Sequence, residues 1–137
     1  MTARPGTVAV VAGFLFAATV IAAVVGAVLL FPGSRLDWIW ELNPQAKAAF
    51  RAIGRVSGAL LWILAAGCFA GAMGLLRGQP WAWWFAVALF AVNACGDIVG
   101  LVVTGDVLRS ALGVAVSCGF LLALAQPRVR QHFGRRR

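Results

Sequence analysis

Residues 7–31 form an uninterrupted apolar run that is long enough to cross a lipid bilayer. The run contains no Asp, Glu, Lys or Arg, and a transmembrane helix needs about 20 apolar residues. A cleaved signal peptide has an apolar region of about 7–15 residues followed by small residues, whereas this run continues into Leu-Leu-Phe-Pro. We therefore expect a retained transmembrane helix that stops at Pro32 and Gly33.

Three further apolar runs, residues 56–76, 81–103 and 107–125, also have membrane-spanning length. Hydrophobic residues make up 62% of the 137 residues and charged residues only 12%, which excludes a water-soluble or disordered chain. The last two connections are so short that their helices must be antiparallel neighbours. The pattern predicts an all-α fold, in which a single integral membrane domain over residues 1–137 is an up-down-up-down bundle of four transmembrane helices.

The longest connection, residues 32–55, has the pattern of a surface helix. Asn43 suits a helix N-cap and Pro44 the first helical position, so we expect a helix to begin there. Three basic residues follow at four-residue spacing on one face: Lys47, Arg51 and Arg55. The spacing predicts an amphipathic helix that lies at the membrane interface or extends the second span outward. Such a helix either covers the bundle or serves as a partner-binding or gating element.

The positive charges lie between and beyond the apolar runs, where the bilayer surface accounts for them. The chain has twelve Lys and Arg against four Asp and Glu, a formal net charge of +8. Because no basic surface interleaved with aromatic residues lies outside the runs, we expect no nucleic-acid binding.

The distribution of the basic residues predicts the orientation in the membrane. Seven of the twelve lie on the side of the two termini, with most of them in the basic tail 126–137: Arg4, Arg77, Arg128, Arg130, Arg135, Arg136 and Arg137. The other five lie on the opposite side. The positive-inside rule therefore predicts a multi-pass protein of the cell membrane, in a bacterium the inner membrane, with both termini in the cytoplasm.

Asp97 is the most informative residue, because a carboxylate inside a transmembrane helix costs about 2.5–3.5 kcal/mol on insertion scales. An arc of about 100° on the same helix also contains Asn93, Gly96, Gly100 and Thr104. The small pair Gly96 and Gly100 lets another helix approach this face closely. The candidate binding residues Asn93, Asp97 and Thr104 are therefore expected to face a neighbouring helix.

Two interpretations of Asp97 remain open. Arg109 lies near the start of the fourth run, about 4 Å inside the membrane, and Asp97 lies about 10 Å deep. The long arginine side chain can therefore reach the carboxylate. An Asp97–Arg109 ion pair would set the helix register. Alternatively, Asp97 is a protonatable or cation-binding group. Asp106, three residues before Arg109, is the alternative partner for that arginine.

No cofactor, metal site or catalytic centre is expected. Cys68, Cys95 and Cys118 lie inside the apolar runs at similar depth, but no second metal ligand lies beside any of them. The single histidine, His132, lies in the basic tail, where a solvated role is expected. The sequence also contains no phosphate-binding glycine loop and no nucleophile motif, so we predict that the protein is not an enzyme.

Three stretches carry a resemblance to known proteins. They are residues 36–44 with Phe50 and Gly54, residues 76–84, and residues 93–100 with Thr104, Gly105, Asp106 and Arg109. Together they resemble a group of small uncharacterised bacterial four-span integral membrane proteins. The resemblance implies the membrane architecture without an activity, and it makes Asp97 and Asp106 the leading site candidates.

The expected function is that of a structural or accessory membrane component. Its expected partners are the lipid bilayer and either a membrane protein or a second copy of this chain. A small transporter or channel component that uses Asp97 is the alternative. Transporters often have spans interrupted by Gly or Pro, whereas no proline lies inside these four runs.

Overall fold

The computed structural model describes residues 6–33, 35, 37–42, 44 and 55–134, and no strand occurs among them. The helices are α1 (Gly6–Leu30), α2 (Ile39–Leu42), α3 (Arg55–Leu76), α4 (Pro80–Thr104), α5 (Val107–Ala125) and α6 (Pro127–Gly134). Four of them, α1, α3, α4 and α5, are long and apolar enough to cross a membrane. The predicted all-α four-helix fold class is confirmed, and the chain is a multi-pass membrane protein.

The ends of the long helices lie within one residue of the predicted ends of the four runs. Pro80 occupies the first turn of α4, where its missing N–H costs no hydrogen bond. Gly78 precedes it with a φ of 69°, a left-handed conformation that glycine adopts without a steric penalty. The turn is held by the Gln79 N–H, which donates to the Gly74 carbonyl oxygen at 2.9 Å. Local sequence signals therefore determine where the helices stop.

The chain forms two compact units, one of Phe14–Ala70 and one of Met1–Gly13 with Gly71–Arg137. In the unit Phe14–Ala70, α1 and α3 approach each other closely at two glycines. A Cβ atom built on Gly26 would lie 3.0 Å from the Gly58 carbonyl oxygen, and one built on Gly58 would lie 3.0 Å from the Gly26 carbonyl oxygen. The indole of Trp62 covers this contact, and its Nε1 donates to the Ala23 carbonyl oxygen at 3.2 Å.

The connection after α1 is only partly described. The Gly33 N–H donates to Asp37 Oδ2 at 3.0 Å, which closes a turn before α2. Trp38 is exposed, and Trp40 is buried. Most of the predicted amphipathic helix, residues 45–54, lies outside the described residues, and Arg55 is the first residue of α3.

In the other unit, the segment predicted as a basic tail contains the helix α6. Pro127 begins this helix, and the Arg130 N–H donates to the Gln126 carbonyl oxygen at 3.0 Å. Val129 and Phe133 are buried, so α6 packs on the unit through one apolar face. His132 is half-buried, and its ring lies edge-on to the Phe133 ring.

Candidate functional site

The predicted site residues lie in the hairpin formed by α4 and α5. Gly105 ends α4 with a φ of 69°, and its N–H donates to the Leu101 carbonyl oxygen at 3.0 Å. Asp106 then caps α5, because its Oδ1 accepts a hydrogen bond from the Arg109 backbone N–H at 3.2 Å. This short connection makes α4 and α5 antiparallel neighbours, as predicted.

Four layers of contacting residues join the two helices. From one layer to the next, the residue number rises by three or four along α4 and falls by the same amount along α5. We call these residues the α4–α5 seam: Phe90, Asn93, Asp97 and Gly100 on α4, and Ser110, Gly113, Ser117 and Phe120 on α5. Their spacing of three and four residues is that of the contact positions in antiparallel coiled coils. The seam therefore sets the depth at which each polar side chain lies.

Aromatic and polar contacts occupy the two layers that lie farthest from the connection. The rings of Phe90 and Phe120 stack with their centroids 4.8 Å apart and their planes 20° from parallel. In the next layer, Asn93 Nδ2 donates to Ser117 Oγ at 3.1 Å. Ser117 is only 1% exposed, so this hydrogen bond satisfies a hydroxyl group that is otherwise buried among apolar side chains.

Asp97 lies against Gly113 in the third layer. A Cβ atom built on Gly113 would lie 2.5 Å from Asp97 Cγ and 2.8 Å from Oδ1, so a side chain at position 113 would require the carboxyl group to move. Asp97 Oδ2 is buried and has no hydrogen-bond partner among the described residues. Buried polar atoms without a partner are costly, and they commonly mark a group that takes up a proton or a cation.

Asp97 and Arg109 were predicted to form an ion pair, but the buried Oδ2 of Asp97 accepts no hydrogen bond from Arg109. The reason is the register of the hairpin, which places Gly113 opposite Asp97 and Arg109 one helical turn nearer the connection. Arg109 is exposed there, and its backbone N–H contacts Asp106.

The other residues of the predicted polar face do not all share the position of Asp97. Gly96 has open space around the position of a Cβ atom, so it lies off the seam, whereas Gly100 lies 3.9 Å from Ser110 Oγ by the same measure. Thr104 is the last residue of α4, and its side chain lies outside the described part of the chain. The predicted face therefore divides into a seam side and an open side.

The α5 side of the seam was not predicted from the sequence. Ser110 and Ser117 are buried, and Gly113 provides the space for Asp97. Positions 110, 113 and 117 follow heptad spacing. Small and polar residues at this spacing in an apolar helix are the sequence pattern that could have predicted the contact face of α5.

The three cysteines differ in their exposure. Cys68 is buried, whereas Cys95 and Cys118 are exposed. Within residues 6–33, 35, 37–42, 44 and 55–134, no group of three His, Cys, Asp or Glu side chains is placed to hold a metal ion.

No protein-family model, curated protein or solved structure matches this chain. The resemblance to bacterial four-span proteins therefore stays a prediction from the sequence.

Proposed function

We propose that the protein is a non-enzymatic, structural or accessory component of the cell membrane. The observation that carries this proposal is the use of the intramembrane polar groups in helix packing. Asn93 donates to Ser117, and the carboxyl group of Asp97 fills the space above Gly113. Since apolar helices in lipid gain little hydrophobic energy from association, such contacts hold the hairpin together.

The open side of the hairpin supports an accessory role. Gly96 on α4 and Gly119 on α5 both have open space where a Cβ atom would lie. Glycines on an uncovered membrane-helix face permit close approach of another helix, from a membrane protein or from a second copy of this chain.

Quantitative co-purification from native membranes in mild detergent tests the accessory role. Gly96→Leu and Gly119→Leu fill open space, so we expect the thermal stability of the isolated protein to stay unchanged while recovery of one membrane partner falls at least fivefold. Gly13→Leu, a glycine of α1 with equally open surroundings, is the matched control. Equal recovery from all variants would contradict the proposal.

We propose further that both termini face the cytoplasm, which rests on the seven-to-five distribution of basic residues. In a variant whose three native cysteines are replaced by alanine, Ser34→Cys should react with an impermeant thiol reagent in intact cells. Gln131→Cys should react only after the membrane is opened. The reverse labelling pattern would overturn this orientation.

A second candidate function, transport of a proton or cation, is favoured by the unpartnered Oδ2 of Asp97. The test is flux into liposomes that contain the purified protein, measured with a pH-sensitive or sodium-sensitive dye. Transport predicts flux that Asp97→Asn abolishes and that Asp106→Asn, which keeps a capping side chain at the helix end, leaves intact. Flux no greater than in empty liposomes would exclude this function.

A further inference from the structure

A cavity of about 330 Å³ lies where α6 packs beside the start of α4. It is lined by Pro80, Trp83, Trp84, Arg130, Phe133 and Gly134. All six residues belong to the unit that contains Gly71–Arg137. The cavity therefore combines three aromatic rings with one guanidinium group.

Packing holds the aromatic and basic side chains of the cavity in place. The Trp83 indole Nε1 donates to the Leu124 carbonyl oxygen at 3.1 Å, which joins the start of α4 to the end of α5. The Trp84 ring lies edge-on to the Trp83 ring at 4.7 Å, and 64% of the Trp84 side chain is exposed. Phe133 is 4% exposed and anchors α6, so Arg130 one turn earlier is held at the cavity.

The positive charge at this end lies far from the acidic side chains of the same unit. Arg77, Arg128 and Arg130 are all exposed here. The chain has four acidic residues, and Asp37 and Glu41 belong to the other unit. Asp97 and Asp106 lie toward the opposite end of α4, roughly 25 Å or more from Pro80. Within the described part of this unit, no carboxylate is placed to neutralise Arg130, so this side chain is available for a counter-charge from a ligand.

The position in the fold indicates the source of that counter-charge. Pro80 begins a membrane-length helix, and α6 follows directly after another one ends at Ala125. The ends of such helices lie at the level of the lipid headgroups, where tryptophan is also favoured. Phosphate groups of lipids are the anions present at this level.

We propose that this cavity binds the headgroup of an anionic phospholipid. The Arg130 guanidinium donates hydrogen bonds to the phosphate oxygens, which its planar geometry suits. Trp84 and Phe133 contact the glycerol and the upper part of the acyl chains. A zwitterionic choline headgroup fits less well, because Arg130 repels its cation. This lipid site is independent of the proposed accessory role, which concerns the open glycines.

Lipid titration followed by native mass spectrometry of the full-length protein in detergent tests this proposal. Phosphatidylglycerol, phosphatidylcholine and inorganic phosphate are the three probes. We expect phosphatidylglycerol to bind at least fivefold more tightly than phosphatidylcholine, and inorganic phosphate at millimolar concentration not to displace it. Arg130→Gln should weaken phosphatidylglycerol binding about tenfold, because a charge-assisted hydrogen bond is lost.

Arg128→Gln is the matched control, since Arg128 is an exposed arginine of the same helix that does not line the cavity. It should change binding less than twofold. Trp84→Leu tests the aromatic wall separately at an exposed position, where substitution does not endanger folding, and should weaken binding about threefold. Equal effects of Arg128→Gln and Arg130→Gln would overturn the proposal, as would equal affinity for the two lipids or full displacement by phosphate.

Discussion

Neighbouring helices pack against each other through different kinds of contact in the two units. In the unit Phe14–Ala70, α1 and α3 meet backbone to backbone, with Gly26 against Gly58 and an indole covering the contact. In the other unit, α4 and α5 meet through side chains, and the layers include an amide, a carboxyl group and hydroxyl groups.

The difference shows two sources of helix association that do not depend on the hydrophobic effect. Two glycines allow the backbones to approach closely, so dispersion contacts accumulate along the crossing. In the α4–α5 seam, by contrast, Asn93 forms a hydrogen bond with Ser117, and the carboxyl group of Asp97 packs against Gly113. An atom added at a backbone contact can be accommodated only if a helix moves. An atom added at a side-chain contact can also be accommodated by a second substitution on the facing helix.

Gly26→Ile should produce the largest loss of stability. The new Cβ atom would meet Trp62 Cδ1 at 2.5 Å and the Gly58 carbonyl oxygen at 3.0 Å, and this backbone oxygen moves only if the helices separate. We expect the free energy of unfolding to fall by about 3 kcal/mol, the upper end for overpacked interiors. Circular dichroism during denaturation with sodium dodecyl sulfate in mixed micelles measures this change.

Gly13→Ile is the control for this substitution, because it adds the same side chain to α1 where the structure has open space. Its effect should stay within about 0.5 kcal/mol. Equal losses in both variants would show that the Gly26–Gly58 contact does not hold the two helices together.

Gly113→Ala should cost about 2 kcal/mol, because its methyl group overlaps the Asp97 carboxyl group. Here a second substitution should relieve the overlap. The double variant Gly113→Ala with Asp97→Ala is expected to match Asp97→Ala alone, a coupling of about 2 kcal/mol in the same unfolding measurement.

Gly119→Ala, on the open side of α5, is the control for Gly113→Ala and should be nearly neutral. If Asp97→Ala does not rescue Gly113→Ala, the overlap with the carboxyl group is not the reason for glycine at position 113. The two units would then behave alike, and the distinction between them would fail.

The hydrogen bond from Asn93 to Ser117 should have the smallest effect of the three contacts. A double-mutant cycle with Asn93→Ala and Ser117→Ala isolates it, and we expect a coupling of about 0.6 kcal/mol, the average for such bonds in membrane helices. Strict additivity of the two substitutions would remove this bond from the list of contacts that stabilise the seam.

The sequence by itself determined the parts of the fold that depend on neighbouring residues. The length of an apolar run decides whether a helix can cross the bilayer, and all four helices of that length were predicted within one residue. Turn chemistry decides the helix ends, as with Pro80 and with the pair Gly105 and Asp106. These signals act locally, so they can be recognised without knowing which helices are neighbours.

Only the tertiary structure decided which residues meet. Depth alone made Arg109 a plausible partner for Asp97, but the register of the α4–α5 seam places Gly113 there, because all four layers must fit at once. The helix α6 was missed for the same reason. Its many charges predicted a solvated tail, and the burial of Val129 and Phe133 depends on a surface that forms only when α4 and α5 have packed.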